Sequence, residues 1–207
     1  MAKLTLTTFV SLDGVMQAPG GPDEDTTGGF EYGGWLVPFA DEGMGNFMDE
    51  VFDRSGAFLL GRRTYDIFSA YWPQVTDPQD PIASRLNTLP KHVVSTTLTD
   101  PVWENTTVVA GDVPAEVAGL KERTAEGELQ IHGSGTLAQS LMAHDLIDEV
   151  NLLVYPVYLG SGRRLFPDGG QPTAFELTGA RTTGSGIAIH TYRPAGRARF
   201  GTFDPEV

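Results

Sequence analysis

Glu128-Leu129-Gln130-Ile131-His132-Gly133-Ser134-Gly135-Thr136-Leu137 carries a change of conformational period. Glu128 to Ile131 reads as a strand that ends at His132-Gly133-Ser134-Gly135. Thr136 to His144 then reads as a helix with Leu137, Leu141 and Met142 inward. A strand that passes through glycines straight into a helix is the unit of an α/β sheet. It also builds an anion site, because the helix start has free N–H groups and a favourable dipole. Gly-Ser-Gly alone is weak evidence: it lacks the full dinucleotide fingerprint, and most such matches are ordinary turns and caps.

The same grammar recurs upstream. Ala57 to Leu60 is a short buried strand ending at Gly61, and Arg62 to Trp72 reads as a helix stopped by Pro73. Lys91 to Thr96 is a further strand, ending in Val94-Ser95-Thr96-Thr97. Leu4 to Val10 forms the first strand, and Asp41 to Arg54 an amphipathic helix with Met44, Phe47, Met48, Val51 and Phe52 at helical spacing. Val113 to Arg123 reads as helix, and Glu149 to Val157 as a long apolar strand. Ala174 to Arg181 and Gly186 to Arg193 form a hairpin across Thr182-Thr183-Gly184-Ser185. Ala18 to Gly34, rich in Gly, Pro and acids, is a long loop of the kind that is usually functional or mobile. The order β-α-β-α-β-α-β-α-β plus hairpin predicts a three-layer α/β fold. Its sheet is mostly parallel with an antiparallel C-terminal hairpin, and helices lie on both faces. One domain is expected over residues 1–193, with a tail at 194–207 that has no core pattern.

Composition narrows the partners. The 207 residues suit one full core, and a net charge of −13 argues against nucleic acid. No cysteine is present, which excludes disulfides and thiolate metal sites; His92, His144 and His190 are dispersed, while His132 adjoins the glycine loop and can hydrogen-bond a ligand there, although a structural or surface role is the commoner one for all four. The apolar runs are strand-sized, no signal peptide is evident, and the cytoplasm is the default expectation. In so acidic a chain a phosphorylated ligand needs a local basic cluster. Arg62-Arg63 is one candidate; Arg163-Arg164 after Gly160-Ser161-Gly162 is a second possible anion loop, with no matching sheet position to support it and a substrate-side or subunit contact as the equal alternative.

Three strand ends therefore carry candidate chemistry: Gly61-Arg62-Arg63-Thr64, Ser95-Thr96-Thr97 and Gly133-Ser134-Gly135-Thr136-Leu137. Ligands in open α/β sheets bind beyond the carboxyl ends of strands, so the coincidence predicts one shared dinucleotide site. Asp13 can position substrate, although Asp-Gly is also a plain turn; Trp35, Trp72 and Tyr155 can stack on a flat substrate, although such aromatics are more often core.

Ser11-Leu12-Asp13-Gly14, Gly61-Arg62-Arg63-Thr64-Tyr65, Val94-Ser95-Thr96 and Gly133-Ser134-Gly135-Thr136-Leu137 resemble, in order, the pattern of dihydrofolate reductases. The reductase domain of the bifunctional riboflavin-biosynthesis deaminase/reductase and its stand-alone relatives are more similar still. Asp148-Glu149-Val150, Pro156, Leu159-Gly160-Ser161-Gly162 and Leu165-Phe166 complete that likeness, which spans about Lys3 to Arg193. The resemblance implies a dihydrofolate-reductase-like fold and an NADPH cofactor. It implies that Arg62, Arg63, Ser95 and Thr96 hold the adenosine 2′-phosphate, while Gly133 to Leu137 and Thr64 cradle the pyrophosphate. The backbone near Phe9, Val15 and Met16 would receive the nicotinamide carboxamide. Substrate would lie between the nicotinamide, the first helix and the Ala18 to Gly34 loop.

Two positions depart from the pattern. Where dihydrofolate reductases carry a carboxylate early in the first helix, this chain has Gly45, with Glu42 and Asp49 out of register. Where the riboflavin-type domain has a lysine after its Asp-Gly, this chain has Val15. The expectation is thus a reductase that passes hydride from NADPH to a small heteroaromatic or carbonyl-like substrate. No metal and no obvious general acid is implied, and Leu152 to Tyr158 with the hairpin would pair subunits in a homodimer. A dinucleotide sensor without turnover, or an interaction protein whose glycine loops are only turns, are the alternatives.

Overall fold

Alternation of Leu4, Leu6 and Val10 with Thr5, Thr7 and Phe9 divides the first strand, β1 (Leu4–Ser11), between two cores, one on each face of a sheet. The structure, a computed structural model, describes residues 1–203. Asp41 accepts from Met44 N at 2.9 Å and caps α1 (Glu42–Asp53), which buries Phe47, Met48, Val51 and Phe52. β2 (Ser55–Gly61) leads into α2 (Arg62–Tyr71) with no intervening loop, as the sequence predicts. After α3 (Pro81–Thr88), β3 (Lys91–Val94) and β4 (Thr106–Val109) come α4 (Val113–Arg123), β5 (Glu128–His132) and α5 (Gly135–Ala143). β6 (Glu149–Tyr155), β7 (Thr173–Thr182) and β8 (Ala188–Arg197) complete the chain's regular structure.

The eight strands form one sheet in the order β4-β3-β2-β5-β1-β6-β8-β7. Pairing is parallel from β4 to β6 and antiparallel where β8 meets β6 and β7. The chain moves one way across the sheet from β1 to β4, then returns through β5 to β6. Right-handed crossovers therefore place α1, α2 and α3 on one face and α4 and α5 on the other. The cores agree: Val51, Phe52, Tyr65 and Leu86 share one cluster, and Val117, Leu120, Leu137 and Leu141 the other. Neighbouring strands β5 and β1 thus send their following helices to opposite faces, which opens a crevice at their carboxyl ends.

Two elements exceed the expected order. α3 is capped by Asp80, whose side chain accepts from Ala83 N at 2.8 Å, and starts at Pro81. β4 extends the parallel sheet by one edge strand beside β3. β8 also runs past residue 194 into the expected tail, pairing Pro194 with Phe175 and Arg197 with Thr173. Proline is tolerated there because β6 follows β8 only as far as Tyr192. Residues 204–207 of that tail lie outside the described residues. At the opposite end of the sheet β2 bulges at Gly56, where a Cβ would stand 1.9 Å from the Glu126 carbonyl oxygen. Among the described residues no helix is long and apolar enough to cross a membrane, and no group of three or more His, Asp or Glu is placed to hold a metal.

Candidate cofactor and substrate cleft

β5 is shorter than its neighbours. It pairs with β1 only to Thr7↔His132 and with β2 only to Phe58↔Gln130. β1 runs on beside β6 to Ser11, and β2 beside β3 to Gly61. The result is a notch in the carboxyl edge of the sheet, and the glycine loop after β5 fills its floor.

The backbone there is left-handed at two successive residues, Gly133 with φ 59° and Ser134 with φ 51°. Ser134 tolerates this because its polar groups are bonded on three sides. Its Oγ accepts from Gly61 N at 3.0 Å and donates to His132 O at 3.1 Å, and its N–H donates to Thr64 Oγ1 at 3.1 Å. The starts of α2 and α5 are thereby fastened side by side. Met16 covers the second loop glycine so closely that a Cβ on Gly135 would stand 2.5 Å from its Sδ.

The caps separate these two helices from the rest. α1, α3 and α4 each begin with an aspartate whose side chain accepts a first-turn N–H. α2 begins at Gly61 and α5 at Ser134, and neither has a side-chain cap. Their first-turn N–H groups therefore carry no side-chain cap, an arrangement that can receive an anion.

The arginines divide. Arg62 Nη1 donates to Thr97 Oγ1 at 3.1 Å, and its Nε lies 2.9 Å from Asp66 one turn on. Thr96 and Thr97 are exposed beside it, while Ser95 is buried and its Oγ accepts from Thr97 N and Leu98 N at 3.2 and 3.0 Å. Arg63 turns away, its Nη1 3.6 Å from Asp25 Oδ2 in the long loop. Arg163 reaches the same carboxylate, and Thr27 and Gln17 bond around it. The Ala18 to Gly34 loop is thus strapped to α2 and to the 163 segment. The same contacts engage the arginines that follow Gly160-Ser161-Gly162. Arg163 is taken up by Asp25, and Arg164 donates to Asp13 O at 2.9 Å and stands 3.6 Å from its carboxylate.

Asp13 is itself held by Ser11 Oγ at 2.7 Å, Leu159 N at 3.2 Å and Gly160 N at 3.0 Å. Burial raises its pKa, but those hydrogen bonds outweigh it and bring the carboxyl to about 2. Val15 is fully buried and bridges to Arg164, and Met16 N donates to Arg163 O at 2.9 Å. Trp35 donates to Gln17 O at 2.7 Å and stands edge-on to Tyr155, whose hydroxyl donates to Met44 Sδ at 2.9 Å. Phe9 and Phe39 also meet Tyr155 edge-on, so Trp35 and Tyr155 form a buried wall behind Phe9. Leu137, also buried, anchors α5 in the second core. Two other clefts, of about 630 and 710 Å³, lie around Trp103 and His92 and share no residue with the notch.

His132, which adjoins the glycine loop, closes β5 on the α1 face of the sheet and stacks on Phe52 at 4.6 Å, a packing role. Its alternation with apolar Leu129 and Ile131 was the available signal.

Comparison with known proteins bears on the family and the fold. Residues 2–189 match the family model of the RibD C-terminal domain. The chain is 25% identical over 193 residues to the uncharacterized protein YyaP of Bacillus subtilis, covering 92% of this chain and 94% of that one. A putative riboflavin biosynthesis protein from Shewanella sp. PV-4 superposes with a TM-score of 0.66 at 23% identity, covering 94% of this chain and 99% of that one. Dihydrofolate reductase from Enterococcus faecalis, solved with NADP(H), superposes with a TM-score of 0.57 at 15% identity, covering 93% and 96%. The fold is dihydrofolate-reductase-like, as the motif order implied. The chain belongs to the RibD C-terminal domain family.

Proposed function

We propose that the protein is an NADPH-dependent reductase that delivers hydride to a small heteroaromatic or carbonyl substrate. The observation that carries this reading is the pair of uncapped helix starts, α2 and α5, locked together through Ser134 with Arg62 and Thr97 at their rim. Family membership supports a reductase-type role, and the NADP(H) of the Enterococcus enzyme supports the cofactor.

The residues fit such a group. The Gly133 to Leu137 segment and Thr64 would hold the pyrophosphate through backbone N–H groups, and Arg62 with Thr96 and Thr97 the 2′-phosphate. Arg63, Ser95 and Ser134 act behind them, fixing the long loop, the turn and the glycine floor. Phe9 and the Val15–Met16 turn would frame the nicotinamide, with Trp35 and Tyr155 as the wall behind and Asp13 pinning the 159–160 segment. The cofactor, when bound, supplies the hydride; the chain contributes orientation and exclusion of water.

Titration with NADPH and, in parallel, NADH, followed by tryptophan quenching, tests this reading. Tight NADPH binding that weakens in Arg62→Ala is expected; no binding of either nucleotide would sink it. Asp13, the acid at the end of β1, is fully engaged by the chain, which favours a second reading, a nucleotide-binding protein without turnover. NADPH consumption in a screen of pyrimidines, pterins and carbonyls separates the two.

The proposed assembly is a homodimer. β6 is an interior strand, so its edge is not available, but the sheet face opposite α1 leaves Leu152, Val154, Phe175 and Tyr192 half-buried and Leu177 exposed. A second copy covering that face gives a mass of two chains in light scattering, and Leu177→Glu returns it to one.

A further inference from the structure

The amino end of the sheet, opposite the notch, carries a cleft of about 710 Å³ that the reductase reading leaves unused. The irregular pairing of β2 with β5 shapes it. A Cβ at Gly56 would stand 1.9 Å from the Glu126 carbonyl oxygen, and one at Gly127, where φ is +74°, 2.7 Å from Arg54 O and Gly56 N. No side chain fits at either position, so the cleft is lined there by backbone, and a bulge of this kind re-aims the residues around it. Leu89, Pro90 and Leu120 supply an apolar wall.

Arg54, Arg85 and Arg123 line the cleft, against Asp53 and Glu126. Arg54 is committed: its Nε lies 3.1 Å from Glu128 Oε1, and its Nη1 donates to Glu50 O at 3.1 Å. The other two arrive from opposite faces of the sheet, Arg85 on α3 and Arg123 on α4. Neither stands within hydrogen-bonding distance of its acid. Arg85 Nη2 is 3.7 Å from Asp53 Oδ1, and Arg123 Nη2 is 4.0 Å from Glu116 Oε2. Exposed pairs at such separations hold their partners weakly, so both guanidinium groups keep donors for another acceptor.

His92 lines the same cleft. Strand alternation turns Val93 into the core beneath α1, so His92 faces α4. Its Nδ1 is buried with no hydrogen-bond partner among the described residues. Burial first, and then the Arg123 charge, hold the imidazole below its ordinary pKa. The charged groups around it are Arg123 on α4, Arg85 on α3, Arg54 and Asp53 at the end of α1, and Glu126 before β5. An anion seated among them would offset the guanidinium charge.

We propose that this cleft is a second ligand site, for a small organic acid whose carboxylate is taken by Arg85 and Arg123 while its apolar body rests on Leu89, Pro90 and Leu120. The planar fork of arginine matches a carboxylate, and the apolar wall discriminates against a bare inorganic anion. The site shares no residue with the notch and does not depend on what the notch binds. Ligand and proton are linked there. A bound carboxylate favours the imidazolium, so the His92 pKa rises on binding, and the acid binds more tightly as pH falls through that range.

The test is a titration of the full chain, labelled with 15N-histidine, with benzoate, benzamide or inorganic phosphate at matched ionic strength. His92→Gln assigns the signal. Benzoate is expected to saturate and to raise the His92 titration midpoint by about 0.5 or more. Benzamide, which lacks the charge, and phosphate, which lacks the apolar body, should both bind more weakly than benzoate. Arg85→Ala and Arg123→Ala should each weaken benzoate about threefold or more, and Arg62→Ala, at the notch, should leave it unchanged. Benzoate that leaves the His92 midpoint in place overturns the inference, as does benzamide or phosphate binding equally well. A loss in Arg62→Ala that Arg85→Ala and Arg123→Ala do not share would move the acid to the notch and overturn it too.

Discussion

Ser134 Oγ accepts the Gly61 N–H at 3.0 Å while it donates to the His132 carbonyl at 3.1 Å, so one hydroxyl joins the ends of β2 and β5. Ser134→Ala removes both bonds and leaves a left-handed backbone on a residue with a Cβ. A loss of about 1–3 kcal/mol is expected in urea unfolding. Ser134→Gly loses the same bonds but relieves the backbone, so its loss should be smaller by about 1 kcal/mol. Equal losses would mean that the left-handed residue is not under strain.

Arg62 and Arg63 adjoin in sequence and part in space. Arg62 lies with Thr97 at the rim of the cleft, and Arg63 faces Asp25. Arg62→Ala should weaken NADPH about tenfold or more and leave NADH nearly unchanged, as expected for loss of a charge-assisted bond to one phosphate. Arg63→Ala should weaken both nucleotides alike and speed cleavage of the Ala18 to Gly34 loop by protease. A selective loss of NADPH in Arg63→Ala would reverse the assignment.

The Asp13 carboxyl titrates at about 2 in the folded chain, against an ordinary value of 3.8. The unfolded chain therefore binds more protons between those values, and stability rises with pH across that window. Its contribution is complete above pH 3.8 and disappears as pH falls through 2. Asp13→Asn should flatten the dependence of stability on pH between these limits, measured by denaturant unfolding at each pH. An unaltered slope would assign the acid sensitivity to other carboxyls.

Gly14 and Gly56 differ in what surrounds them. Gly14 has φ +79° with open space around it, whereas a Cβ at Gly56 would stand 1.9 Å from a backbone oxygen. Gly14→Ala should cost about 1–2 kcal/mol from conformation alone. Gly56→Ala requires the β2–β5 pairing to shift, and a loss of about 3 kcal/mol or more is expected by thermal unfolding.

Elements with a strong period were legible. The strand–glycine–helix passages at Gly61 and Gly133, and the helices over Met44–Phe52 and Val113–Arg123, stand where their patterns put them. α3 and β4 were not read, although Asp80-Pro81 is a cap followed by proline and Thr106 to Val109 is β-branched throughout. Both are short, and the Pro- and Asp-rich segments around them masked the signal. The rim of the site was visible as residue types, but the division of labour was not. Nothing in Arg62-Arg63 says that one guanidinium crosses to Asp25, and nothing in Gln130 says that its amide donates to the Val51 carbonyl. Those facts belong to contacts between residues far apart in the chain.

β1 occupies the middle of the sheet, with Leu4 beside Leu129 and Thr5 beside Glu149. A strand made early thus waits for partners made late, and until they arrive its apolar face and both hydrogen-bonding edges stay open. The fold's contact order is correspondingly high, which slows closure and leaves the growing chain dependent on protection from aggregation. Rearranging the gene so that translation starts just before β5 would shorten the stretch of chain over which these three strands emerge, and on this topology would hasten folding without altering the finished cleft.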